Sequence, residues 1–95
     1  SKAALRTVRY LSASAGTATI LRHAVIGRAN GVVSYRLLLE VRDPSGATFR
    51  AEKPFPVAEA NVSRITEGRQ FRVKYFAGDP SSVVFAGKLD NNASR

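Results

Sequence analysis

The chain has 95 residues, no cysteine, 44% apolar and 23% charged side chains, and a formal net charge of +8. That length allows one domain with one core, and the lack of cysteine excludes disulfides, thiolate nucleophiles and cysteine-ligated metals while favouring a reducing location only slightly. No apolar run approaches the roughly 18 residues of a membrane span, and no charged start, apolar stretch and small-residue cleavage site occur in that order, so the chain as given is expected to be soluble.

The first stretch, 1–16, carries Lys2, Arg6 and Arg9 without an acid and is read as a basic linker. Within it Ala3 to Leu11 has the spacing of about two helical turns, with Leu5, Val8 and Leu11 or Tyr10 on one side. So short a helix is marginal without a partner surface. Thr17 to Ile26 reads as the first strand; its apolar positions do not keep one parity, which predicts a bulge or bend near Arg22 and His23. Asn30-Gly31 tolerates two positive φ angles and marks a tight hairpin. From Val33 the alternation is clear. Val33, Tyr35, Leu37, Leu39 and Val41 point one way, and Ser34, Arg36, Leu38, Glu40 and Arg42 the other.

Asp43-Pro44-Ser45-Gly46 has the residue order of a type I turn and leads into a third strand, with Ala47, Phe49 and Ala51 inward and Thr48, Arg50 and Glu52 outward. Pro54 and Pro56 lack amide donors, so this strand is expected to end around Phe55. Val57 to Ile65 has a weak helical spacing, enough for one or two turns across a barrel end. Phe71, Val73 and Tyr75 define the inner face of a fourth strand, with Arg72, Lys74 and Phe76 opposite. Gly78 to Ser82 is read as a turn and Val83 to Phe85 as a short fifth strand. The final stretch, 87–95, is read as a flexible tail.

A three-strand meander, a short helix and a two-strand hairpin is the order of a five-stranded OB-like barrel, an all-β fold whose closure removes exposed edges. That domain would span 17–86. An SH3-like barrel or small sandwich is the alternative. Tyr35, Leu37, Leu39, Phe49, Phe71, Val73 and Tyr75 are the expected core.

No constellation points to catalysis. His23 is the sole imidazole and has no motif around it, so it is a structural or surface side chain before it is a base or ligand. No serine sits in a glycine-flanked elbow, the acids are scattered singly, and the glycines are spread among turns rather than clustered in a phosphate loop. No catalytic residue, cofactor, metal or small-molecule substrate is therefore expected. What remains is a basic and aromatic set, Arg36, Arg50, Arg72, Lys74 and Phe76, on outward faces. Such a face could track a phosphate backbone and stack a base. It is an ordinary solvated surface before it is a binding face, because Glu40 and Glu52 lie on the same faces as partners. Half of the +8 also lies outside Thr17 to Ala86, on the first stretch and on the tail with Lys88, Asp90 and Arg95.

Three segments carry a resemblance: Gly16-Thr17-Ala18-Thr19-Ile20-Leu21; Tyr35-Arg36-Leu37-Leu38-Leu39-Glu40-Val41; and Glu67 to Tyr75 followed by Gly78-Asp79-Pro80-Ser81-Ser82-Val83. Over Gly16 to Phe85 the chain resembles a family of uncharacterised short β modules of bacterial membrane proteins, a domain of unknown function. The resemblance implies a place beside transmembrane helices and no known catalytic residues. The expectation is a non-catalytic accessory or interaction module of a larger membrane-associated bacterial protein, meeting a protein or an anionic membrane surface. Were a span to precede Ser1, the basic residues Lys2, Arg6 and Arg9 would favour the cytosolic side. The alternative is an OB-type domain that binds single-stranded nucleic acid through the basic and aromatic face.

Overall fold

Strand formation here follows from alternation and from where positive φ is tolerated. In the computed structural model, which describes residues 13–86, the elements run β1 (Ser14–Ala29), β2 (Val32–Arg42), β3 (Thr48–Ala58), a 3-10 helix (Glu59–Arg64), β4 (Gln70–Phe76) and β5 (Asp79–Phe85). The expected helix over Ala3 to Leu11 and the expected tail over 87–95 lie outside the described residues.

All neighbouring strands are antiparallel, in the order β3-β2-β1-β4-β5. With the 3-10 helix between β3 and β4, this is a nearly closed, small OB-like barrel. β1 is the shared strand. Its first part, Ser14 to Thr19, pairs with β4, while Thr17 to Ala29 pairs with β2. It starts three residues before and ends three residues after the sequence expectation of Thr17 to Ile26.

The interior collects the inward positions of every strand: Ala18, Ile20, Val33, Tyr35, Leu37, Leu39, Val41, Ala51, Phe55, Val57, Phe71, Val73, Tyr75 and Val83, with Ile65 after the helix. Phe49, expected in the core, is half-buried, and its ring meets Tyr75 edge-on with centroids 5.0 Å apart. No polar or charged residue is buried among the described residues.

The turns behave as their residues dictate. Asn30 and Gly31 adopt φ of 54° and 77°, closing the β1–β2 hairpin in two residues. At the β2–β3 turn Asp43 Oδ1 accepts from Ser45 N (2.9 Å), Ser45 Oγ (2.6 Å) and Ala47 N (3.1 Å), and Gly46 takes the positive φ. The Ser45 hydroxyl and the neighbouring amides hold the Asp43 carboxyl below its ordinary value despite some desolvation.

Three differences from the sequence expectation have local causes. β3 continues through Pro54 and Pro56 to Ala58, opposite Arg36 and Ser34. Both prolines share one parity, and the unbroken register with β2 requires both imide nitrogens to face away from it, where β3 has no neighbour ladder among the described residues. The second difference is the helix. Val57 and Ile65 are buried anchors as their spacing suggested, but the segment between them is a 3-10 helix of six residues. Third, β5 begins at Asp79 rather than Val83, so the turn is only Ala77-Gly78. A serine makes this possible. At the register break between β4 and β5, where the extra residues lie on β5, the Ser82 hydroxyl accepts from Phe76 N (2.7 Å) and donates to Asp79 O (2.6 Å), replacing a ladder bond that the irregular register cannot form.

Closure between β3 and β5 is made by side chains. The Phe55 and Phe85 rings lie 4.9 Å apart, and Phe85 also meets Phe71 edge-on at 5.2 Å. Lys53, on the inner parity of β3 opposite Leu37, donates to Ser81 O (2.9 Å) and Val83 O (3.0 Å) on β5. Its ammonium thus occupies carbonyls that the open seam would otherwise leave to water.

Candidate interaction surface

Residues directly opposite in an antiparallel ladder share a face, so the registers place each outward cation. Thr48, Arg42, Thr17 and Arg72 form one row across β3, β2, β1 and β4. Arg50, Glu40, Thr19 and Gln70 form the next, with Gln70 Nε2 donating to Thr19 Oγ1 at 3.4 Å. Lys74 stands opposite Ala15 on β1 and Val84 on β5. Arg42 and Arg72 are thus two strand spacings apart, about 10 Å, and Lys74 follows Arg72 on the same face. Together they border an open depression of about 450 Å³ with Gly16 and Asp43.

Of the five sequence candidates, Arg72 and Lys74 share this region. Arg50 lies opposite the carboxylate-bearing Glu40. Arg36 stands six residues from Arg42 along β2, about 20 Å away, flanked by Ala24 and Pro54. Phe76 is half-buried beside the register break of β5, its backbone amide held by Ser82, and with Lys74 it lines a cavity of about 660 Å³ walled by Val84 and Phe85.

A second surface was not singled out from the sequence. β4 leaves β1 after Thr19, and the last backbone bonds on that side are Ile20 N to Arg69 O (2.9 Å) and Gly68 N to Ile20 O (2.7 Å). Beyond them β1 runs on as an arm, every residue of which from Arg22 to Ala29 is exposed. Its β2 side is well supported: β2 pairs with β3 up to Val32 and Ala58, and Glu59 N donates to Gly31 O at the hairpin tip (2.9 Å). The other edge of Arg22 to Ala29 has no backbone partner among the described residues.

Two register shifts, between Ile20 and Arg22 and between Val25 and Gly27, bend this arm. The first falls where the mixed parity of the apolar residues predicted it. Between the bulges His23 and Val25 sit opposite the buried Leu37 and Tyr35 and so take the inner face, while Arg22 and Ala24 take the outer one with Leu38 and Arg36. The His23 ring meets Tyr35 edge-on at 5.9 Å, which makes the sole imidazole a packing partner of the core rim.

Val25, Ile26 and Val32 are 47%, 51% and 38% exposed, and three of the four large exposed hydrophobic residues described are therefore on this hairpin. No Asp or Glu occurs anywhere before Glu40, so the arm carries Arg22, Arg28 and Arg36 without an acid of its own. The acid-free run was visible in the sequence; that its middle would stand at a free edge was not.

Among the described residues no three His, Asp or Glu side chains cluster closely enough to hold a metal ion, and no helix is long and apolar enough to cross a membrane. Against protein-family models, curated proteins and solved structures, the chain gives no match.

Proposed function

We infer that this chain is a non-catalytic interaction module that meets a protein partner through the β1–β2 arm, as part of a larger membrane-associated bacterial protein. The observation that carries the reading is the exposure of Val25, Ile26 and Val32 beside a strand edge with no backbone partner among the described residues. Single exposed apolar residues are ordinary, but a group of them on a projecting, cationic strand edge is an unusual cost to stability and solubility unless something covers it. The membrane setting rests on the resemblance of Gly16 to Phe85 to short bacterial membrane-protein modules.

A photocrosslinking amino acid placed at Ile26 tests this in cells. Protein adducts at position 26, with none from the same group at position 50, are expected. Nucleic-acid adducts from positions 50 and 72 and nothing at 26 would overturn it.

The second reading, single-stranded nucleic-acid binding, is favoured by the grouping of Arg42, Arg72 and Lys74 on one outer face. It requires affinity for a short oligonucleotide that falls steeply with salt and loses slope when Arg72 and Lys74 are replaced by alanine. Glu40 beside Arg50, Asp43 at the rim of the depression and the half-buried Phe76 make it the weaker of the two.

A further inference from the structure

We propose that the free edge of β1 from Arg22 to Ala29 accepts an extended segment of another protein as an added antiparallel or parallel strand, and that this segment alternates apolar and acidic residues. The proposal rests on the reading of the arm as a protein-binding surface and adds the mode and chemistry of recognition.

The edge supplies the mode. A strand whose second side is unpaired presents amides and carbonyls at regular spacing, and strand addition satisfies them while pockets and charges on alternate sides give specificity. Here the exposed edge is about 26 Å long, buttressed from behind by β2, β3 and the Glu59 to Gly31 bond, so little of it must be ordered on binding. The two bulges limit the uninterrupted register to Arg22 through Val25 and then Gly27 through Ala29. Bulges are a common guard against indiscriminate edge pairing, and they define a short docking segment rather than a long one.

The side chains supply the chemistry. On the inner face an added strand would lie beside Val25 and the His23–Tyr35 pair, which calls for apolar residues at one parity. On the outer face it would lie beside Arg22, with Arg36 one strand further back, which calls for carboxylates at the other. Arg28, opposite the buried Val33, lies on the inner face nearer the tip, so the acidic parity is set by Arg22 and Arg36, and no acid on the arm competes.

Two other occupants fit less well. A second copy would set the same arginines against one another. An anionic membrane would match the charge and the exposed valines, yet sinking the arm into lipid would strand the unpaired edge amides and carbonyls where nothing satisfies them.

The test uses the full 95-residue chain and a fluorescent ten-residue peptide of alternating valine and glutamate, followed by anisotropy and by hydrogen exchange. Saturable binding is expected, with slowed exchange of the amides between Arg22 and Ala29. N-methylation of alternate peptide amides, which leaves charge and protein untouched, is expected to weaken binding at least tenfold. The double variant Arg22→Glu, Arg36→Glu, which reverses both outer-face cations, is expected to lose the acidic peptide by a similar factor and to bind its valine–lysine counterpart instead.

Equal affinity of the methylated peptide would show charge attraction without strand addition and would overturn the proposal, as would protection confined to another edge. Uptake by phosphatidylglycerol vesicles that the double variant loses, with no saturable binding of the peptide, would assign the arm to a membrane and overturn it too. So would a dimer in sedimentation that the double variant abolishes. A protein adduct at position 26 in cells combined with indifference to N-methylation would sink this mode of recognition alone; absence of any such adduct would sink the interaction reading beneath it.

Discussion

Ile20 and Ile26 are the same residue six positions apart on one strand, yet Ile20 is sealed in the core and Ile26 is half exposed. Gly16 and Gly27 repeat the contrast. A Cβ on Gly16 would stand 2.7 Å from Arg42 O, with the Tyr75 ring and Val41 close behind, whereas one on Gly27 would meet nothing within 4 Å. The near half of β1 is flanked by β2 and β4 and lies over the interior; among the described residues the far half has β2 alone. Both halves contain an isoleucine, a glycine and two alanines, and the far half adds Arg22, His23 and Arg28. What separates them is whether β4 reaches that far, so one strand serves as both a barrel stave and an exposed edge.

The largest expected effect sharpens this contrast directly. Ile20→Ala removes a fully buried side chain and is expected to cost about 2–5 kcal/mol, while Ile26→Ala is expected to change stability by less than about 0.5 kcal/mol. Urea denaturation of the pair measures it, and similar losses at the two positions would break the division of β1. The glycines provide a second pair. Gly16→Ala forces the Arg42 carbonyl to move and is expected to cost about 1–3 kcal/mol, with Gly27→Ala near neutral.

A smaller effect is expected at the other seam. Lys53→Met keeps the stem over the barrel opening but frees the Ser81 and Val83 carbonyls, which water can still reach. A loss of about 1 kcal/mol is expected, with faster hydrogen exchange along β5 and unchanged exchange in the arm. If the arm loosens equally, the two ends of the sheet are coupled and do not open independently.

The smallest effect is a pH dependence. Burial, and secondarily the charge of Asp43, push the Tyr75 hydroxyl above its ordinary value of 10.0. The folded state therefore keeps that proton after the unfolded chain has lost it, so stability is unaffected below about pH 9 and falls as pH rises past 10. The Tm difference between the native chain and Tyr75→Phe is expected to be flat up to that pH and then to shift in favour of the variant. A constant difference up to pH 11 would remove Tyr75 as the source.

Alternation, turn chemistry and element order were legible in the sequence because each is local. Val33 to Val41 could face the core only one way, and Asn30-Gly31 could close only a tight hairpin. The prolines misled in an instructive way: Pro54 and Pro56 truly lack donors, but the cost of that depends on whether a neighbour strand asks for them, and β3 has none on that side. Lys53 was invisible for the same reason. With the strand expected to end near Phe55, nothing showed that a lysine on the inner parity would reach across to the carbonyls of β5.

Residue pattern alone was thus enough for the all-β class, the barrel order and the faces of β2 and β4. Which stretches of strand have a neighbour emerged with the folded barrel and not before. Strand pairing is a relation between distant segments, and the lengths of β1 and β4 that overlap follow from barrel closure rather than from either segment's own residues. Hence the basic residues read as one outward face are distributed by register, Arg72 and Lys74 beside Arg42 but Arg36 some 20 Å off, and the exposed edge at Arg22 to Ala29 emerges only where β4 turns away.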